Sequence, residues 1–368
     1  MNHIKTLNIS NFKTIKKLTL SNLKPINIIL GDNNTGKTTI LEAIKLLCSQ
    51  ACLSNITKLQ KEREPFFPLY DNFFDYFINL FNNEQDANQL EFSITSENEE
   101  GSSSFEILGS KNAASIYEVL KETPLVKYSD PKNHLNKHEY IFKGMISKKD
   151  GNEKNESSIK LTSIEQVHNF SSLKNNQNFI SSFSYLHFDL LSNLIKTKEY
   201  KKLTIKILKT FNEEICGILE DKTTNGAFIQ SIITKNGQIM PISVYGDGVR
   251  RILFILNKLI ESKDSILLID GIELGLSPQH FAEFFANIFT LALKLKVQLF
   301  ITTQSLEAIE AILKFGNYET NQDNDPIKII TLRKIYEEVT CSHKIVARNV
   351  LGRYVYENQK TFNFDVRF

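Results

Sequence analysis

Nine residues, Gly31-Asp32-Asn33-Asn34-Thr35-Gly36-Lys37-Thr38-Thr39, constrain this chain more than any other stretch. They fit the pattern G-x-x-x-x-G-K-[ST]. Glycines at those places let the backbone curl until its N–H groups converge on an anion, and a following helix aims its positive end at the same point. Such a loop needs a buried strand before it and a helix after it. Both are predicted. Ile26 to Leu30 is an unbroken apolar run, as expected of a strand covered on both faces, and Thr38 to Gln50 carries Ile40, Leu41, Ile44, Leu46 and Leu47 at helical spacing. In this Walker A arrangement Gly31, Asn33, Asn34, Thr35, Gly36, Lys37, Thr38 and Thr39 cradle phosphates. Lys37 neutralises β- and γ-phosphate charge and Thr38 offers its hydroxyl to Mg²⁺.

The rest of the chain is read around that loop. Ile4 to Ile9 and Thr14 to Leu20 alternate as strands. Phe179 to Leu186, Ile266 to Ile269 and Gln298 to Ile301 are apolar enough for core strands, and Tyr200 to Leu219 and Val249 to Glu261 are amphipathic helices. Lys235-Asn236-Gly237 marks a hairpin between Ala227–Ile233 and Gln238–Val244. The alternation implies an α/β fold with a mostly parallel core sheet, an antiparallel portion and helices on the faces. Residues 1–50 form the N-terminal part of the core and 177–368 its C-terminal part. Residues 51–176 read as an insertion, part helical (Phe66, Phe67, Phe73, Phe74, Phe77, Phe81) and part antiparallel, with strands at Leu90–Thr95, Ser104–Leu108, Tyr140–Ser147 and Ser157–Leu161. A loop rich in Asn and Asp covers Gly316 to Pro326.

Bulk properties exclude several classes. The 368 residues suffice for one large domain or two medium ones. With 44 basic and 42 acidic residues the formal charge is +2, which does not point to bulk nucleic-acid binding. Lys196, Lys198, Lys201, Lys202, Lys206 and Lys209 fall on one predicted helical stretch and read as a solvated face. No apolar run approaches the roughly 18 residues of a membrane span, since Phe284 to Leu293 is too short. The N-terminus lacks a signal-peptide layout. Cys48, Cys52, Cys216 and Cys341 read as reduced thiols, and no H-E-x-x-H or paired C-x-x-C suggests a protein-built metal site. A cytoplasmic protein without membrane attachment is expected.

Two further motifs carry chemistry. Ile266-Leu267-Leu268-Ile269-Asp270 is a Walker B strand. It places Asp270 at the strand's C-terminal end, where ligands of open α/β sheets bind, to hold Mg²⁺. Tyr245-Gly246-Asp247-Gly248-Val249-Arg250-Arg251 opens a helix with a glycine-rich turn shortly before Walker B. Glycines at a helix N-terminus can grip an anion as the phosphate loop does.

These motifs, with Asn11-Phe12-Lys13, Glu42-Ala43-Ile44, Leu268 to Leu276 and Gln298 to Glu307, resemble the AAA-type ABC ATPases related to RecF, SMC and OLD proteins. The resemblance covers the first fifty residues and most of Phe179 to Phe368. It implies an ABC-type head that closes head-to-head with a second copy around two ATP·Mg²⁺. Gly246, Gly248 and Arg250 would then face the γ-phosphate held by the partner subunit, and Lys13 would lie near the nucleotide. It also implies a separate effector protein, such as a nuclease, in phage defence or DNA repair. OLD proteins continue into a Toprim nuclease, for which the C-terminal residues offer no acidic D-x-D cluster. Two places depart from the family. Gly271 stands where the family has the glutamate that polarises the attacking water, and Gln304 where it has a switch histidine. Loss of a positioned base costs roughly 10²–10⁴ in rate. Glu273 is a substitute, but two residues of extended chain span about 6–7 Å, so it reaches only if the backbone bends. The catalytic set expected is Lys37, Asp270, Glu273 and Gln304, with tight ATP binding and slow hydrolysis. A non-hydrolysing, ATP-stabilised scaffold is the alternative. An SMC-like DNA clamp is disfavoured, because no heptad arm lies between the Walker motifs.

Overall fold

A computed structural model describes residues 3–48, 79–85, 89–98, 101–110, 112–114, 139–141, 179–181, 190–222, 228–316, 325–337 and 342–362. The chain opens with β1 (Thr6–Phe12), β2 (Ile15–Leu20) and β3 (Ile26–Gly31), then α1 (Lys37–Cys48), β4 (Gln89–Glu97) and β5 (Ser102–Ser110). Short strands β6 (Asn112–Ala114), β7 (Glu139–Ile141) and β8 (Phe179–Ile180) precede α2 (Lys198–Phe211), β9 (Ile215–Lys222), β10 (Phe228–Thr234) and β11 (Ile239–Pro241). Then follow α3 (Asp247–Glu261), β12 (Ile266–Ile269), α4 (Phe281–Lys294), β13 (Gln298–Thr302), α5 (Leu306–Phe315), β14 (Ile327–Glu337), β15 (Ser342–Leu351) and α6 (Gly352–Phe362).

The central sheet has the order β15-β14-β3-β13-β12-β8. All its pairings are parallel except β14 with β15. Because side chains alternate across a strand, each core strand feeds two cores. Ile28 and Leu30, Leu267 and Ile269, and Leu299 and Ile301 join one face, which is covered by α2 to α5. Ile29, Leu268, Phe300, Ile330 and Leu332 join the other, packed with α1 and the first antiparallel strands. This double coverage is why these strands read as continuous apolar runs. The expected mostly parallel α/β architecture is the one observed.

The antiparallel part has the order β2-β1-β4-β5. The strands at 89–97 and 102–110 pair with β1 through β4, with Ile9 opposite Ile94, so this stretch of the 51–176 segment is built into the same sheet as the N-terminus. Phe92 packs against Phe12 at a tilt and against Phe81 edge-on. The strand at Tyr140 pairs with residues 112–114. Its expected partner at 157–161, and Phe66 to Phe77, lie outside the described residues.

Three element boundaries correct the sequence reading. The helix expected from Tyr200 to Leu219 ends at Phe211, and Ile215 to Lys222 is a strand paired with β10. Asn212 stops the helix in an extended conformation, with its N–H on Leu208 O and its side chain accepting from Glu214 N. The apolar residues beyond it satisfy either period, and pairing with β10 decides. Thr197 caps α2, so Lys196 lies outside the helix. The strand expected over Gln238–Val244 covers only Ile239–Pro241, and Ile242–Val244 is a 3₁₀ turn. The apolar stretch Phe284–Leu293 lies in α4, where Phe284, Phe285, Ile288 and Phe289 are fully buried. No helix among the described residues is long and apolar enough to cross a membrane.

Candidate functional site

The C-terminal ends of β3, β12 and β13 converge on a cleft of about 760 Å³. Its lining includes Asn33, Asn34, Thr35, Gly36, Lys37, Thr38 and Thr39 from the first motif, Asp270, Gly271 and Glu273 from the second, and Thr302, Thr303 and Gln304 after β13. Gly31 borders a neighbouring cavity of about 440 Å³ that shares Asn33, Thr303 and Gln304 with the first. Thr14, Leu274 and Lys334 also line the larger cleft.

The phosphate loop is shaped by close approach. Gly31 has φ +148°, and a Cβ there would lie 2.6 Å from Thr35 Oγ1 and 2.7 Å from Leu332 O, so only glycine fits. Thr35 Oγ1 donates to Asp32 O at 2.8 Å and ties the curl. Lys37 Nζ donates to Gly31 O and Asp32 O, both at 2.7 Å, which folds its ammonium over the loop. Burial holds its pKa below the ordinary lysine range, against the opposing pull of Asp270, Asp32 and Glu273. The N-terminus of the 12-residue α1 adds its positive end.

The opposite wall is a hydrogen-bonded chain. Gly271 N–H donates to Thr302 Oγ1 at 2.8 Å, and Thr302 Oγ1 donates to Asp270 Oδ1 at 2.6 Å. Thr38 Oγ1 reaches both carboxylate oxygens of Asp270, at 3.4 and 3.2 Å. A hydroxyl and a carboxylate meeting beside a lysine and a helix N-terminus are the hard oxygen donors that Mg²⁺ with a triphosphate requires. The glycines, the ammonium and these oxygens therefore fit ATP·Mg²⁺. No cluster of three or more His, Cys, Asp or Glu with metal-binding geometry occurs among the described residues.

The reach of Glu273 needs correction. The extended-chain estimate does not apply, because Gly271 adopts φ +64° and Leu274 N–H closes a turn onto Gly271 O at 3.2 Å. That turn brings Glu273 back into the cleft. Its Oε1 accepts from Gln304 N–H at 3.1 Å, while Oε2 is buried with no hydrogen-bond partner among the described residues. The Gln304 side chain donates to Asn33 Oδ1 at 2.8 Å, linking the switch segment to the phosphate loop. Ser305 then caps α5 through Ala308 N–H.

Other expected residues lie elsewhere. Lys13, expected near the nucleotide, instead pairs with Glu42 on α1 at 2.7 Å, and its neighbour Thr14 takes the place on the cleft. Its backbone is left-handed, φ +51°, at the turn between β1 and β2, and the carboxylate of Glu42, 2% exposed, captures the ammonium. Gly246, Gly248 and Arg250 do not line this cleft. Arg250 approaches Asp247 at 3.6 Å. A Cβ on Gly248 would lie 2.4 Å from Gly275 O, so this glycine lets α3 press on the loop after Walker B.

Sequence reasoning passed over Arg251. It is fully buried, and its Nη2 donates to Asp270 O at 2.9 Å and Gly271 O at 2.6 Å. A charged residue inside an apolar helical stretch was the available signal, because such a residue stays buried only when hydrogen-bonded. Thr302, inside the switch segment quoted above, was given no role, and Thr14 and Lys334 were missed. Nothing in their local pattern separates them from ordinary strand and turn residues.

Comparison with known proteins places this site in context. A family model described as "AAA domain, putative AbiEii toxin, Type IV TA system" matches residues 26–310. Local sequence similarity links the chain to the DNA replication and repair protein RecF of Idiomarina loihiensis, 54% identical over 44 residues, 12% of each chain. It also links it to the uncharacterized protein MJECL10 of Methanocaldococcus jannaschii, 52% identical over 46 residues, 12% of this chain and 21% of that one. These matches span only about an eighth to a fifth of those relatives. In fold, the chain is similar to the Smc head domain derived from Pyrococcus furiosus, solved bound to the C-terminal domain of ScpA. That similarity has a TM-score of 0.53 at 11% identity, covering 99% of this chain and all of that one. An Smc head solved with the C-winged helix domain of ScpA gives a TM-score of 0.52 at 12% identity, over 95% and 98% of the two chains. The fold is that of the Smc head domains, mixed α/β with a mostly parallel central sheet.

Proposed function

This chain belongs to the AAA-domain family matched over residues 26–310, and on that premise we propose that it binds ATP·Mg²⁺ in the cleft described, closes head-to-head with a second copy, and hydrolyses ATP slowly to control a separate effector. The observation that carries this reading is the meeting of Thr38 Oγ1 with both oxygens of Asp270 beside Lys37, at the end of a parallel sheet.

Lys37 would leave Gly31 O and Asp32 O for the β- and γ-phosphates, while the loop N–H groups and α1 hold the remaining charge. Thr38 and Asp270 would hold Mg²⁺, which when bound neutralises charge developing between β- and γ-oxygens. Thr302 keeps the Asp270 carboxylate oriented. Glu273, anchored by Gln304 N–H through Oε1, would accept a proton from the attacking water once its carboxylate turns the now buried Oε2 toward the cleft. The Gln304 amide would release Asn33 and donate to the γ-phosphate, uncharged where a histidine could carry charge.

Arg251 joins this site to α3, whose N-cap Gly246 and first-turn residues Gly248 and Arg250 would face the ATP of the second copy. Occupancy of one cleft would thereby bear on the other. The segment 51–176 would carry closure to the effector. The ScpA domains bound to the solved Smc heads support a separate protein partner. The naming of RecF and the toxin–antitoxin wording of the family model support a setting in DNA repair or phage defence.

Titration of the purified protein with ATP·Mg²⁺ tests the reading. Lys37→Ala should weaken binding by about 100-fold or more, as expected from losing charged hydrogen bonds to two phosphates. Equal affinity in the variant would reject the cleft as the ATP site. A second reading, a non-hydrolysing ATP-stabilised scaffold, is favoured by Gly271 and Gln304. Steady-state turnover abolished by Lys37→Ala would eliminate it.

A further inference from the structure

The phosphate end of the cleft is well supplied, but its other end has no assigned partner for a nucleoside. Asp270, Glu273 and Gln304 mark where a γ-phosphate would lie. A triphosphate running along the loop toward Thr39 therefore points its nucleoside at the end formed by Thr14 and Lys334.

That end is built by an extension of the central sheet. β14 runs parallel to β3 until Leu332 stands opposite Gly31. There β3 turns away into the phosphate loop, and β14 continues from Arg333 to Glu337 paired with β15 alone. Side chains alternate along it. Ile330 and Leu332 face the core that contains α1, so Lys334 and Tyr336 continue on the same face. Two observations fix that face against the loop. Lys334 lines the cleft. Ile345, opposite Lys334, is buried, and its Cδ1 lies 3.1 Å from where a Cβ on Gly36 would stand. Thr14 Oγ1 and Ile15 Cγ1 approach the same point from the other side, both at 3.6 Å. Tyr336 follows two residues, roughly 6–7 Å, further out, with 52% of its surface exposed. None of the described residues lining the cleft is aromatic, and among the described residues of β14 Tyr336 is the ring on the lining face.

Resting on the ATP-binding reading, we infer that the projecting β14–β15 hairpin is the nucleoside-binding element of the cleft: Tyr336 stacks on the base, and Lys334 holds the α-phosphate between the hairpin and Thr14. A solvent-exposed phenol ring beside a phosphate site suits this task, because every base presents a π-face and stacking needs no fixed hydrogen-bond pattern.

The test compares ATP with inorganic tripolyphosphate, each with Mg²⁺, by calorimetric titration of the full chain. Tyr336→Ala should weaken ATP about tenfold and leave tripolyphosphate unchanged, and Tyr336→Phe should restore ATP binding. Lys334→Ala should weaken both ligands. If Tyr336→Ala binds ATP as tightly as the parent, or loses both ligands equally, the inference fails while the phosphate site stands. If the parent chain binds neither ligand, the inference falls together with the reading beneath it.

Discussion

The two walls of the cleft differ in how they meet their task. The wall from Gly31 to Thr39 is a contiguous stretch whose glycines, lysine and threonine each stand where phosphate chemistry needs them. The facing wall is assembled from the segments that follow β12 and β13, with Arg251 of α3 bonded to the backbone of the first. Gly271, where the resemblance led one to expect an acid, makes a turn instead, and the turn delivers Glu273 to the cleft from two residues further on. Binding tolerates little variation, because the anion must be met by a set array of N–H groups. Proton transfer asks only that a carboxylate arrive within reach of water, and several backbone routes provide that.

The largest effect that could break this contrast is at Glu273. Glu273→Gln should lower turnover by roughly 10²–10⁴ with ATP affinity unchanged, read by ADP release against equilibrium titration. Retained turnover would mean the facing wall has no base at this position. Next comes Arg251→Met, which leaves the carbonyls of Asp270 and Gly271 without their charged donor inside the core. It should cost about 3 kcal/mol of stability, seen as an earlier unfolding midpoint in denaturant. A midpoint within error of the parent would show that α3 is not tied to Walker B.

Gly271→Glu sharpens the comparison from the other side. A Cβ there would sit 2.5 Å from Leu274 Cδ1, at a φ that side chains disfavour. The substitution should destabilise by about 1–2 kcal/mol and should not raise turnover. A gain of tenfold or more would mean that a base works from position 271 despite the turn. The smallest effect concerns pH. Burial lowers the pKa of Lys37 in the free chain, and bound phosphates would raise it again. ATP affinity should be complete below the free-state pKa and decline as pH rises through it, beginning below the ordinary lysine range. An affinity flat until that range is reached would place the lysine away from the phosphates.

How much of this was legible depended on how local each feature is. The phosphate loop, the buried strand before it and the Walker B strand are written in adjacent residues, and the α/β fold followed from their alternation. The end of α2 at Phe211 was not legible, because Ile215 to Leu219 suits a helix until β10 pairs with it. Thr302 and Lys334 are ordinary strand residues whose position depends on which strands lie side by side. Lys13 was misplaced because its partner, Glu42, becomes its neighbour only when α1 packs under β1. The turn at Gly271 was the subtlest case. A glycine read as the loss of a base is also the residue that permits φ +64°, and so the approach of Glu273.

The most direct test of the account is light scattering of the parent chain and of Glu273→Gln with ATP·Mg²⁺, with ADP followed in the same samples. The account predicts that both form dimers, that the parent dimer decays as ADP appears, and that the variant dimer persists. Protein that stays monomeric with ATP, or two dimers that decay at the same rate, would contradict it.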